Sequence, residues 1–135
     1  MKYFDTDVLI NSYVDQNLSK HSFSIDLIES CIIDNSFLIS WLSIQEVGFV
    51  LGKLKQDTKY ISSRLNELIN SIPATYGSIE FQRAIQLATQ IGFTDFNDCL
   101  HIAVAEQHCT DFYTYNRADF IRIKPFSKLN IHILE

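Results

Sequence analysis

Thr94 to Phe120, TDFNDCLHIAVAEQHCTDFYTYNRADF, decides how the rest of the chain is read. It opens with Asp95 and Asp98, three residues apart, and continues as an apolar pattern at helical spacing, which predicts a helix from Thr94 to about His108. A short strand, DFYTY, follows, and then a turn at Asn116-Arg117-Ala118-Asp119. A helix that starts acidic, next to a strand that ends in Asn and Asp, can gather oxygen ligands at one edge of a sheet. That is half of a divalent-metal site, and the other half must come from the first 46 residues.

Working outward, Lys2 to Thr6 reads as a strand ending in Asp-Thr-Asp, with a helix beginning near Asp7. DQNLSKHS (15–22) reads as a loop, and Phe23 to Asp34 as a second helix. FLIS (37–40) is a buried strand. Ser43 and Glu46 have the spacing of a capping box opening a third helix to about Lys55. Asp57 can cap a fourth helix that Pro73 stops, and ATYGSI is a short strand or an extended connection. Glu80 to Ile91 is a fifth helix stopped by Gly92, and NIHIL near the end is a last strand. Strands alternating with helices predict an α/β fold, a three-layer α/β/α sandwich with a mainly parallel sheet, in one domain over residues 1–135. Ligands gather at the carboxyl ends of such strands, where Asp5, Ser40 and Asn116 fall.

Composition narrows the classes. No run of about 18 apolar residues is present, so no membrane span or membrane partner is expected. Asp5 and Asp7 interrupt the segment in which a signal peptide needs its apolar core. Cys31, Cys99 and Cys109 are odd in number and widely spaced, and read as reduced thiols of a cytoplasmic protein. The net charge of -5 argues against nucleic acid. Setting aside Asp5, Glu46, Asp98 and Asp119 as metal ligands leaves twelve acids against eleven bases, so a phosphate-bearing substrate stays open. Arg117, Arg122, Lys124 and Lys128 cluster just after the acidic stretch and can meet such a substrate.

Asp5, Glu46, Asp98 and Asn116 with Asp119 each lie one short element from the same sheet edge. Carboxylates brought that close repel unless a cation neutralises them, and hard cations such as Mg²⁺ or Mn²⁺ take carboxylate and water oxygens. Each acid also has a plainer reading. Asp5 or Asp7 can cap the first helix, Glu46 can close the capping box, Asp95 can cap the sixth helix or lie outside the ligand shell, and Asp119 can cap a turn. His21, His101, His108 and His132 lack metal-ligand spacing, and His101 reads as a packed helix residue. No Gly-rich phosphate loop or nucleophile elbow is present.

These residues resemble a PIN domain, specifically the small VapC-like toxin nucleases. The resemblance rests on FDTDVLI, on IS followed by SIQE, on FNDCLHIAVAEQ and on TYNRADF, and covers essentially the whole chain. It implies Mg²⁺- or Mn²⁺-dependent hydrolysis of RNA by a cation-activated water, with Asp5, Glu46 and Asp98 as ligands. It places the fourth acid position on Asn116, with Asp119 as the nearby carboxylate, and gives Thr6 and Thr114 supporting roles. It further implies a homodimer and a small antitoxin protein that inserts a segment into the acidic groove, with the helices at 23–34 and 57–71 as contact surfaces. No general base is assigned. Two rival readings accompany it. One is a catalytically weak PIN module that binds RNA or a partner protein, motivated by Asn116. The other is a haloacid-dehalogenase-like phosphatase with Asp5 as nucleophile and Asp7 as general acid.

Overall fold

Tyr3 and Phe4 are adjacent in sequence and both fully buried, so the strand that carries them is covered on both faces. The structure, a computed structural model, describes all residues from Met1 to Glu135. In chain order the elements are β1 (Lys2–Phe4), α1 (Thr6–Tyr13), α2 (Leu18–Ile33), β2 (Phe37–Leu38), α3 (Trp41–Lys53) and α4 (Thr58–Asn70). There follow α5 (Ser78–Ile91), α6 (Phe96–His108), β3 (Asp111–Thr114), α7 (Arg117–Ile123), a 3₁₀ turn (Lys124–Phe126) and β4 (Asn130–Ile133). The four strands form one parallel sheet in the order β2-β1-β3-β4.

β1 and β3 are the central pair, in register as Tyr3 with Phe112 and Phe4 with Tyr113. Their rings stack across the pair at 5.4 Å on each face, an arrangement that adds about 0.5–1.5 kcal/mol per pair beyond burial alone. On the Tyr3 face, Phe112 and Ile131 pack with Leu87 of α5, Ile102 of α6 and Phe120 of α7. On the Phe4 face, Ile39 packs with Val8 and Leu9 of α1, Cys31 of α2, Val47 of α3 and Leu68 of α4. The expected α/β/α layering is therefore present. Helix α6 is buried from Cys99 through Ala105, which its small residues allow. None of the three cysteines is in a disulfide, and no helix is long and apolar enough to cross a membrane.

Several boundaries differ from the sequence reading. β1 stops at Phe4, and Asp5 caps α1, which opens at Thr6 rather than at Asp7. The segment DQNLSKHS is not a loop. Asn17 accepts the Lys20 N–H and starts α2 at Leu18, five residues early. Helix α3 opens at Trp41, capped by Ser40 with a reciprocal bond to Ser43, so Glu46 is not the capping-box partner. α6 opens at Phe96 rather than Thr94, and the expected turn after β3 is instead the start of α7, capped by Asn116. Ala74 makes a lone parallel bridge to Ser40, which fits the extended connection. Gly92 takes φ +105° at the end of α5, as a helix-stopping glycine does.

Candidate active site

The chain turns out of β1 and straight into α1, and this turn positions the first acids. Asp5, 5% exposed, donates its N–H to the Tyr113 carbonyl and so remains in register with β3. Its Oδ1 accepts the Thr6 N–H at 2.8 Å, and its Oδ2 accepts the Thr114 hydroxyl at 2.7 Å. Asp7 lies one residue beyond Thr6. Its carboxylate accepts the Tyr115 N–H at 3.1–3.2 Å and sits 3.3 Å from the Thr114 hydroxyl. β1 and β3 end together, so both acids meet the end of β3.

Glu46 enters from the second turn of α3. Its Oε1 accepts the Thr6 hydroxyl and His101 Nε2–H, each at 2.6 Å, and its Oε2 accepts the Asn97 amide at 3.3 Å. Fully buried His101 continues through Nδ1 to the Tyr3 hydroxyl at 2.7 Å, which in turn meets Ser40 at 2.7 Å and Ser43 at 3.1 Å. A hydrogen-bonded chain thus runs from the sheet interior to a carboxylate of the cleft. Asp98 comes from the first turn of α6. One oxygen of each of Asp95, Asp98 and Asp119 lies within 4.8 Å of the others.

Asp5, Thr6, Asp7, Glu46, Asn97, Asp98 and Asn116 line one open cleft of about 600 Å³. Asp119 stands outside that lining, beside Asp98, and is tied to Asn116. The Asn116 amide donates to Asp119 Oδ2 at 2.8 Å and accepts the Asp119 N–H at 3.2 Å. Asp95 pairs with Arg122 at 3.0 Å, and Arg122 also donates to the Ile91 carbonyl. Arg117 lies 3.6 Å from Glu135, and Lys124 is exposed on the 3₁₀ turn. None of Arg117, Arg122 and Lys124 lines the cleft.

Two residues, one in the cleft and one buried behind it, escaped the sequence reading in their roles. Asp7, read as a helix cap, is instead the second acid of the β1–α1 turn. His101, read as a packed helix residue, is buried but bonded to Glu46. It follows Asp98 by three positions and so shares its helix face, a signal present in the sequence.

Crowding shows in the protonation of these groups. Burial, then the neighbouring Asp5, pushes Asp98 up to about 8 and Asp7 up to about 7. Burial also raises Asp5, against the pull of His101 and Thr114. Burial opposes ionisation of Glu46 too, but the His101 and Thr6 bonds outweigh it and hold Glu46 below its ordinary value. Burial likewise works against charge on His101, yet the Tyr3 hydroxyl and Glu46 carry its pKa well above the usual imidazole value. The donor set is mostly oxygen, and several of its acids resist ionising together. Both features fit a hard divalent cation.

A stability profile follows. An acid with a folded pKa above its unfolded value near 3.8 stabilises the fold fully at low pH and loses that contribution as pH rises through the folded value. Asp7 and Asp98 put this loss between about pH 4 and pH 8, and raised His101 acts in the same direction. The metal-free melting temperature is expected to fall by several degrees from pH 5 to pH 8.5. Mn²⁺ should restore most of it at the alkaline end. Thermal scans with chelator and with Mn²⁺ measure both, and a flat metal-free profile would contradict the crowding.

The family model described as PIN domain matches residues 2–124. The comparison with curated proteins gives no match. Among solved structures, the chain is similar to the crystal structure of VapBC2 from Rickettsia felis bound to a DNA fragment from their promoter. The TM-score is 0.72 at 17% identity, over 100% of both chains, a likeness that speaks for the fold. With the family model spanning nearly its whole length, the chain belongs to the PIN domain family.

Proposed function

We propose that the protein is a Mg²⁺- or Mn²⁺-dependent endoribonuclease, the cytoplasmic toxin of a toxin–antitoxin pair. The observation that carries this is the convergence of Asp5, Glu46 and Asp98 in one cleft at the carboxyl edge of the sheet. Those three residues would hold the ion. Asp119, fixed by Asn116, would supply the carboxylate beside Asp98 that an acid at position 116 would otherwise provide. An ion held there would supply a lowered pKa for an attacking water and stabilisation of charge on the phosphodiester. The chain's own contribution is orientation. Thr114 and the Thr6 N–H aim Asp5, Thr6 and His101 aim Glu46, and Asp7 and Asp98, which burial and Asp5 hold toward the protonated form, would lose that proton on binding a cation. Arg117, Arg122 and Lys124 would contact RNA outside the cleft.

The proposed partners rest on similarity and on one groove. The related Rickettsia structure is of a VapBC2 assembly, which supports an antitoxin partner here, and a homodimer belongs to the same reading. A second hollow, about 780 Å³, is lined by Ile25, Ile28 and Ile32 of α2 and by Tyr60 and Leu68 of α4, the helices expected to make partner contacts.

Membership of the PIN family sets the phosphatase reading aside. The binding-module reading keeps one observation, the amide at position 116. The test incubates the purified protein with structured RNA, with Mn²⁺ or with chelator, beside Asp5→Asn. Cleavage only with Mn²⁺, and at least a hundredfold loss in Asp5→Asn, is expected. Cleavage that survives chelation, or an Asp5→Asn variant as active as wild type, overturns the metal-nuclease reading. RNA binding with no cleavage at all selects the binding module.

A further inference from the structure

Beside its carboxylates the cleft is lined by Ile10, Phe49 and Val50. Phe49 is 67% exposed, although it lies one turn beyond Glu46 on α3. Lys53, one turn further, holds its ammonium 5.4 Å from the Phe49 ring centroid. Side chains on a helix lean toward its N-terminus, so Lys53 covers the ring from the C-terminal side. The ring otherwise stays open beside Gln45 and Glu46, which share the cleft lining with it. At about 1.5 Å per residue, Phe49 stands about 4.5 Å and Lys53 about 10.5 Å beyond Glu46 along the helix. Both side chains are thus within a few nucleotides' reach of a phosphodiester held at Glu46.

We infer that Phe49 is a stacking platform for an unpaired nucleobase of single-stranded RNA next to the cleaved bond, with Lys53 meeting the adjoining phosphate. The inference rests on the ribonuclease reading of the cleft. Single-stranded RNA is bound by aromatic rings that take a splayed base and by cations that follow the backbone. The platform is continuous with the carboxylate cleft, and Lys53 supplies the positive charge that the cleft lining lacks. Gln45, exposed in the same lining, would meet the base edge.

The experiment follows Mn²⁺-dependent cleavage of labelled single-stranded RNA oligonucleotides, each carrying one abasic ribose at a different position around the cleaved bond. Wild type, Phe49→Ala, Phe49→Trp and Lys53→Ala are compared, with sedimentation of each protein. One abasic position is expected to raise the wild-type KM about tenfold or more. Phe49→Ala should show the same rise on intact RNA, no further loss on that abasic oligonucleotide and a kcat within about twofold. Phe49→Trp should restore KM, and Lys53→Ala should raise KM and reduce its salt dependence by about one charge.

A wild-type KM for Phe49→Ala on intact RNA removes the platform and leaves the ring to a partner polypeptide. An equal loss on every abasic oligonucleotide also overturns it. Altered sedimentation of Phe49→Ala assigns the ring to contact between copies of the chain and overturns it as well. If wild type cleaves structured RNA but no single-stranded oligonucleotide, the platform fails alone; if it cleaves neither, the ribonuclease reading has failed and the platform falls with it. Cleavage by wild type that Phe49→Ala does not alter removes the platform alone.

Discussion

Asp98→Asn is expected to melt at a higher temperature than wild type in metal-free buffer at pH 8, while losing about a hundred- to a thousandfold in cleavage. The two effects have one cause. Burial and the charge of Asp5 push the Asp98 carboxyl up to about 8, with Asp119 and Asp95 adding to the push. Ionising it in the folded chain is therefore unfavourable, and an amide of the same shape removes that cost. The gain should be about 1–2 kcal/mol, or about 3–8 °C. It should fade toward pH 5, where wild-type Asp98 is protonated and uncharged like Asn. A site tuned to receive a cation is destabilised without it, so stability and activity move apart. Adding Mn²⁺ should reverse the order, raising the wild-type melting temperature more than that of the variant. An Asp98→Asn protein that is less stable than wild type at pH 8 and still gains fully from Mn²⁺ would show that Asp98 is a structural residue outside the ligand set.

Asp98 lies where local patterning points, whereas the placements of Asp7 and His101 do not follow from it, and the difference has a physical basis. Asp5, Glu46 and Asp98 sit close to element boundaries that local patterning marks, and a parallel sheet brings such boundaries to one edge. The layered fold was legible for the same reason, because β1 and β3 are short apolar runs between helical patterns. The partners of Asp7 and His101 are remote. The amide that Asp7 accepts belongs to Tyr115, 108 positions away, and His101 meets Tyr3 and Glu46 across 98 and 55 positions. Local patterning carries no term for such contacts.

The α3 cap shows the same limit. Ser40 with Ser43 and Ser43 with Glu46 are overlapping signals three residues apart. Ser40 becomes the cap, held by the Tyr3 hydroxyl at 2.7 Å, which leaves Glu46 free to face the cleft. The start of α2 was missed because Leu18 is 70% exposed and Phe23 51%, so the first turns bury too little to show a periodic face. Helix α7 has only seven residues, too few for a pattern to stand out from a turn.

His101→Leu is expected to weaken Mn²⁺ binding about 10- to 100-fold, the size of effect seen when a residue orienting a metal ligand is lost. It should also cost about 2–4 kcal/mol of stability. Glu46 is held ionised, so its oxygens only accept, and His101 Nε2 carries the hydrogen directed at Oε1. On the other side of the ring, Tyr3 ties Nδ1 to Ser40 and Ser43 beneath the α3 cap. The imidazole thus links the start of α3 to the carboxylate one turn later, and fixes the direction in which Glu46 presents its second oxygen. Leucine fills the space but leaves Glu46 with Thr6 and Asn97 as its partners, so the carboxylate gains freedom to rotate. A purely structural role would show as lost stability with unchanged metal affinity. His101→Gln separates the cases, because its amide can still donate toward Glu46 while its link to Tyr3 is weakened. Gln should recover most of the Mn²⁺ affinity but only part of the melting temperature, as measured by titration calorimetry and thermal scans. Equal Mn²⁺ affinity in wild type and His101→Leu would reduce His101 to a packing residue, and would mean that Thr6 alone suffices to aim Glu46.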